Sequence, residues 1–129
     1  MAKKWAKFPY ADKAYVHDAA GLKKHWPRLH KGDCEPLPKD ADALDAWAAF
    51  HAGDFARAVE AGTAAAGSCV NAAVKAQVVY GHYLEKSDKA RLELLEEAAE
   101  LADERRRAAP KDANAHYLYA YALGRYSQG

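Results

Sequence analysis

Apolar residues recur at helical spacing along most of the chain after residue 38. In the longest such stretch, about residues 89–109, Leu92, Leu95 and Ala99 share one stripe, and glutamates occupy the opposite face. Residues three and four positions apart lie on one side of a helix, so this pattern predicts an amphipathic α-helix. The spacing of Val70, Ala73, Val74, Gln77, Gly81 and Leu84 predicts another helix before it.

Capping residues and glycines divide this region into five predicted helices. Short polar side chains favour helix starts because their oxygens accept hydrogen bonds from free backbone N–H groups, and glycine favours helix ends. The predicted helices begin after Asp40 or Asp42, Asp54, Ser68, Ser87 or Asp88, and Asp112. They end at Ala52 before Gly53, at about Ala66 before Gly67, at about Leu84, at about Ala109 before Pro110, and near the last residue.

The fifth predicted helix carries two different stripes. One is predicted to face the core and contains Ala115, Leu118, Tyr119, Ala122, Leu123 and Tyr126. The second points elsewhere and contains Asn114, Tyr117, Tyr121 and Arg125.

The first 38 residues have a different pattern and are predicted to be an irregular extension. Four of the five prolines lie there, and proline interrupts helices because it lacks an N–H and clashes with the preceding turn. Asp18 is a predicted cap for a short helix through His25, which Pro27 ends or kinks. Residues 34–38 are predicted to be an extended linker. The predicted domain division is therefore 1–38 and 39–129.

Composition supports an all-α fold. Alanine, the best helix former, makes up about a quarter of the 129 residues, and β-branched residues are sparse. Half of the residues are hydrophobic and the net charge is +1, which argues against disorder. No apolar run approaches the ~20 residues that span a bilayer, and no signal peptide is expected. Two cysteines provide no disulfide framework, so a reducing, cytoplasmic location is predicted.

Basic residues are concentrated in the extension. Residues 1–40 contain nine Lys or Arg and five Asp or Glu, and the rest of the chain has a small acidic excess. Because these lysines and arginines occur singly or in pairs, we interpret them as a solvated lead-in and expect no nucleic-acid or membrane partner. Salt-dependent binding to nucleic acid is the weaker alternative.

A short motif occurs twice, 21 residues apart. Residues 26–33 and 47–54 both read W-x-x-[LF]-H-x-G-D, which is typical of a helix end followed by a new cap. The sequences that follow the two copies diverge, since Pro36 and Pro38 exclude a regular helix after the first. We interpret the motif as a helix-ending pattern that the chain uses twice. An ancestral repeat whose copies have diverged is the alternative.

Residues 39–129 resemble tetratricopeptide (TPR) repeats, which are antiparallel helix pairs of 34 residues. The resemblance is carried by Gly53-Asp54-Phe55 with Ala58, and by Pro110 followed by Ala115, Tyr119, Ala120 and Leu123. It implies about two and a half helix pairs behind the extension. The middle pair departs from the pattern, because Lys86-Ser87 replaces the turn glycine. The fifth helix would lack its partner, so the chain is either a fragment of a longer array or ends on a solvating, capping helix. Tyr117 and Tyr121 on its outer face favour a fragment, or a chain that self-associates through this helix.

The resemblance also implies a function. The first helix of each TPR pair lines a concave groove that binds a peptide or protein segment, so a non-enzymatic interaction module is expected. The implied partner-binding residues are Trp47, His51, Asn114, Tyr117, Tyr121 and Arg125, with Ala43 and Phe50 beside them. Two alternatives stay open: Trp47 and Phe50 are simply core residues, and Tyr117 and Tyr121 pack on a missing helix.

Histidines near the N-terminus provide the competing hypothesis. His17, His25, His30, Asp33 and Cys34 fall within 18 residues, which would suit a small metal-binding or enzymatic protein. None of them forms the tight pairs that zinc sites use. No nucleotide-binding or nucleophile motif is present, so we predict no catalytic residue, no metal and no cofactor.

Overall fold

The computed structural model describes residues 5–9, 15–33, 35–65, 67 and 69–128, and these contain helices and no strand. The all-α prediction is therefore confirmed for the described residues. In chain order the helices are α1 (Ala19–Leu29), α2 (Ala41–His51), α3 (Phe55–Ala65), α4 (Cys69–Val79), α5 (Asp88–Ala108) and α6 (Ala113–Gln128). A π-helical turn, Tyr80–Leu84, continues α4.

Most predicted helix boundaries are confirmed. The side chains of Asp18, Asp40, Asp54, Ser87 and Asp112 accept hydrogen bonds from N–H groups in the first turns of α1, α2, α3, α5 and α6. Gly53 and Gly67 have φ angles of 83° and 59°, which L side chains rarely adopt. The predicted cap Ser68 lies outside the described residues.

Of the two outcomes predicted for Pro27, ending or kinking the short helix, the first does not occur, since Pro27 lies inside α1. Its missing N–H removes one bond to the carbonyl of the exposed Lys23, while the His30 N–H still reaches Trp26. Two further local predictions are wrong. The third helix does not stay α-helical to Leu84, since the Glu85 N–H bonds to the carbonyl five residues earlier. Leu123 and Tyr126 are 42% and 39% exposed rather than in the core.

The helices pack in sequence, each from α2 onward against the next, and α4 also contacts both α2 and α6. This pattern places α2, α4 and α6 side by side, with α3 and α5 packed against them. Because α4 contacts four other helices, nearly all of its residues are buried. Small side chains suit this position, since they let helix backbones approach closely: a Cβ on the buried Gly62 of α3 would collide with α4 at Ala73.

The described part of the extension packs against the helices that follow it. Leu22 and Trp26 of α1 share a buried cluster with Leu44 and Trp47 of α2. Near the N-terminus, Trp5 stacks on Tyr80 at 4.2 Å between ring centroids, and the Ala6 N–H donates to the Tyr80 hydroxyl. Within the described ranges, none of the helices combines the length and the apolar character needed to cross a membrane.

Candidate functional site

The two copies of the W-x-x-[LF]-H-x-G-D motif contact each other. Tryptophan and histidine are four residues apart in each copy, so they lie on one face of α1 and of α2. Trp26 stacks on His30, and the Trp26 and Trp47 rings meet edge to face at 5.9 Å between centroids. The His30 and His51 Nε2 atoms are 2.9 Å apart. The repeated motif therefore forms a contact between two helix ends, which the spacing alone did not reveal.

Asp33 and Lys75 extend the histidine pair. Asp33 Oδ1 lies 3.0 Å from His30 Nδ1, and Lys75 Nζ donates to Asp33 Oδ2 at 3.1 Å. Burial opposes ionisation of Asp33, but the hydrogen bond from the Glu35 N–H and the Lys75 charge outweigh it and lower the Asp33 pKa. The Asp33 carboxylate is thus paired from two sides.

Both histidines of this chain of contacts are neutral near pH 7. Burial lowers the pKa of His30, against the opposing attraction of Asp33. Burial also lowers the pKa of His51 to about 3, and the nearby His30 and Lys75 add to this shift. A neutral imidazole has one N–H, so His30 Nδ1–H donates to Asp33 and His51 Nε2–H donates to His30 Nε2. The arrangement is an ordered Asp–His–His chain that links α1 to α2.

A second polar cluster lies beside it around Glu35, which is only 8% exposed. Asn71 Nδ2 lies 3.4 Å from Glu35 Oε1 and donates to Asp112 Oδ2 at 3.0 Å, while Arg105 pairs with the same Asp112 oxygen. Burial raises the Glu35 pKa to about 7, and the carboxylates of Asp112 and Asp33 add to the rise. The backbone carbonyl of Glu35 accepts from the Trp26 indole N–H at 2.7 Å. Asp33 and Glu35 are therefore held by α1, α4 and the start of α6.

A cleft of about 610 Å³ opens next to Glu35 at the end of the array where α2 and α6 begin. Its lining residues are Asp33, residues 35–40, Trp47, Arg105 and residues 111–114. Charges of both signs line it, and three of them have ion-pair partners: Asp33 pairs with Lys75, and Arg105 pairs with Asp112. The cleft thus lies where polar residues of the extension meet polar residues of the helices.

The predicted groove residues fall into two separate groups. Trp47 is 1% exposed in the core, and His51 is half-buried against His30, so α1 and the loop after it cover this part of the predicted groove. Phe50 is half-buried beneath Lys75. Asn114 lies in the cleft at the start of α6.

Tyr117, Tyr121 and Arg125 form a partly exposed strip along α6. The two tyrosine rings are parallel within 7° at 5.9 Å between centroids, and the Arg125 guanidinium lies 5.4 Å from the Tyr121 ring. Tyr117 is 53% exposed, whereas Tyr121 is half-buried and its pKa is raised by burial. Tyr83, 63% exposed on the π-helical turn, acts electrostatically on Tyr121. We call Tyr83, Tyr117, Tyr121 and Arg125 the tyrosine strip.

Sequence reasoning missed several residues of these sites. Asn71 and Lys75 are four positions apart on α4. Polar residues at helical spacing in a mostly apolar helix could have marked them as site residues. Glu35 gave no such signal, because it stands alone beside a proline. Tyr83 was missed because its orientation depends on the π-helical turn.

Among the described residues, no group of three or more His, Cys, Asp or Glu side chains is arranged so that it could hold a metal ion. His17 and His25 lie 5.3 Å apart between ring centroids. Cys34, which was part of the metal hypothesis, lies outside the described residues. Cys69 is a free, buried thiol.

No protein-family model, no curated protein and no solved structure matches this chain.

Proposed function

We propose that this chain is a non-enzymatic protein-interaction module, built from TPR-like helix pairs, that binds a peptide or protein segment along the tyrosine strip. The observation that carries the proposal is the strip itself, in which stacked Tyr117 and Tyr121 lie beside Arg125 on a partly exposed helix face. Tyrosine and arginine are the side chains that most often anchor protein interfaces.

The helix arrangement supports the TPR-like part of the proposal. Helices α2, α4 and α6 contact one another in series, as expected for the first helices of successive pairs. The α2–α3 and α4–α5 neighbours then correspond to the two pairs, and α6 corresponds to the additional half unit. The π-helical turn occurs in the middle pair, just before Lys86-Ser87, where the sequence departs from the family pattern.

The extension restricts where a partner would bind. It covers the part of the α2 and α4 surface that includes Trp47 and His51, through the contacts of Trp26, His30 and Asp33. The tyrosine strip, at the α6 end of the same surface, remains accessible. We therefore assign partner binding to Tyr117, Tyr121 and Arg125, with Asn114 at the edge of the strip, and a structural role to Trp47 and His51.

Quantitative affinity capture followed by mass spectrometry tests this function. Tyr117→Ala and Tyr121→Ala should each reduce recovery of the partners that the wild-type chain captures. Tyr15→Ala is the matched control, since Tyr15 is an exposed tyrosine of the extension. Far-UV circular dichroism should be unchanged in all three variants. If the two α6 variants recover every wild-type partner as efficiently as the control does, the assignment is wrong.

A further inference from the structure

A second surface lies on the side of α6 roughly opposite the tyrosine strip. There, α5 and α6 leave a groove of about 260 Å³ between them, with apolar and aromatic residues at its base and acidic residues along one edge. Its lining residues are Glu96, Ala99, Glu100 and Asp103 from α5, and Tyr119, Leu123 and Tyr126 from α6. We call this surface the α5–α6 groove. Leu123 and Tyr126, whose stripe was predicted to lie in the core, are its exposed apolar side chains.

The groove has the shape that a helix fits. Its α5 residues are spaced three and four positions apart, so they form one continuous ridge of about two helical turns, roughly 10 Å at ~1.5 Å per residue. Tyr119, Leu123 and Tyr126 form the facing ridge on α6. Side chains of a third helix can pack between two such ridges, as ridges pack into grooves elsewhere in helical proteins.

The charge along the groove is strongly negative. Residues 92–104 of α5 contain six acidic residues and no basic one. Glu96 and Glu100 are exposed at the edge of the groove. At one end the protein already places a cation there, since the Arg106 guanidinium pairs with Asp103 and lies 4.4 Å from the Tyr119 ring. A guanidinium thus packs against Asp103 and Tyr119, two of the residues that line the groove.

We propose that the α5–α6 groove binds a basic amphipathic helix of a partner protein. The bound helix would present aliphatic residues at i, i+3 or i+4 and i+7 to Leu123 and Tyr126, and lysine or arginine beside them to Glu96 and Glu100. Among the described helices, α1 carries the exposed pair Lys23 and Lys24, but its apolar face is buried against α2. A second copy of this chain therefore offers no free described helix of that kind.

Two designed helical peptides test the proposal directly. Both carry the same leucine stripe, flanked by lysines in one peptide and by glutamates in the other, and each is labelled for fluorescence anisotropy. The lysine peptide should bind the wild-type chain at least about tenfold more tightly than the glutamate peptide. Leu123→Asp should abolish this binding, and the exposed position of Leu123 allows the variant to fold, which circular dichroism checks.

A charge variant separates the groove from general electrostatic attraction. Glu100→Lys should weaken binding of the lysine peptide by about tenfold or more and strengthen binding of the glutamate peptide. Glu60→Lys is the matched control, because Glu60 is an exposed glutamate on α3 and the change in net charge is the same. If Glu100→Lys and Glu60→Lys have equal effects, or if Leu123→Asp leaves binding intact, the proposal is overturned.

Two further measurements complete the test. If sedimentation shows a wild-type dimer that Leu123→Asp converts to a monomer, the groove is occupied by a second copy and the proposal is wrong. Tyr117→Ala should leave peptide binding unchanged, because Tyr117 lies on the opposite side of α6. The proposals for the α5–α6 groove and for the tyrosine strip can therefore be refuted independently of each other.

Discussion

Replacing Glu35 with glutamine should change how the stability of the fold depends on pH. The Glu35 carboxyl is 8% exposed, and its pKa is raised from 4.5 to about 7, chiefly by burial. In the unfolded chain this group releases its proton near 4.5, whereas the folded protein retains the proton up to about 7. Between these values the unfolded state binds fewer protons, so Glu35 lowers the free energy of unfolding as pH rises through the window.

The size of the effect follows from the shift. A rise of roughly 2.5 pKa units corresponds to about 3 kcal/mol at about 1.4 kcal/mol per unit. The wild-type protein loses this amount as the pH rises through the window, and Glu35→Gln does not, because a glutamine does not ionise. Relative to wild type, the variant should therefore gain about 3 kcal/mol on going from about pH 4 to about pH 8. Its amide oxygen can still accept from Asn71.

Urea unfolding followed by tryptophan fluorescence across this pH range measures the difference. Glu60→Gln, at an exposed glutamate of α3, is the control and should track the wild type at every pH. The reasoning is refuted if the free-energy difference between wild type and Glu35→Gln is the same at the acidic and the alkaline end. That result would mean that the pKa of Glu35 in the folded protein is close to its value in the unfolded chain.

Two other predictions concern the joint between the extension and the helices. The His51 pKa is lowered from 6.5 to about 3, so the unfolded state binds more protons than the folded state between these values, and stability is lost as the pH falls through them. His51→Gln should make this loss of stability smaller, which the same urea titration measures. Gly53→Ala should lower the melting temperature, because its φ of 83° costs an L residue about 1–2 kcal/mol and a Cβ there would meet the Phe8 ring. Gly124→Ala, in open space on α6, should instead leave that temperature unchanged or raise it, and equal losses in both variants would contradict the backbone argument.

Local features of this fold could be predicted from the sequence, because short-range chemistry determines them. Asp18, Asp40 and Asp112 cap helices through contacts two or three residues away, and Gly53 and Gly67 adopt a backbone conformation that other residues avoid. These positions require no knowledge of how the helices pack. The predicted boundaries were therefore mostly confirmed.

Features that depend on packing could not be predicted in the same way. The π-helical turn at Tyr80–Leu84 replaces the expected α-helix, although the residues of this turn are equally compatible with an α-helix. Trp47 has the same periodicity whether a groove or the extension faces it; only the contact with Trp26 decides between them. Leu123 matched a core pattern because periodicity identifies an apolar face without showing whether a neighbour covers it. The site residues were consequently less predictable than the helices.

The hydrogen bond between Ala6 and Tyr80 joins positions 74 residues apart. The helix contacts from α2 to α6 are mostly between neighbours in the sequence, and such contacts need little loop-closure entropy to form. Docking of residues 5–8 closes a loop that encloses more than half of the chain, and it needs α4 and the π-helical turn already in place. We therefore expect the helical array to assemble first and residues 5–8 to attach last, as a late and separate step of folding.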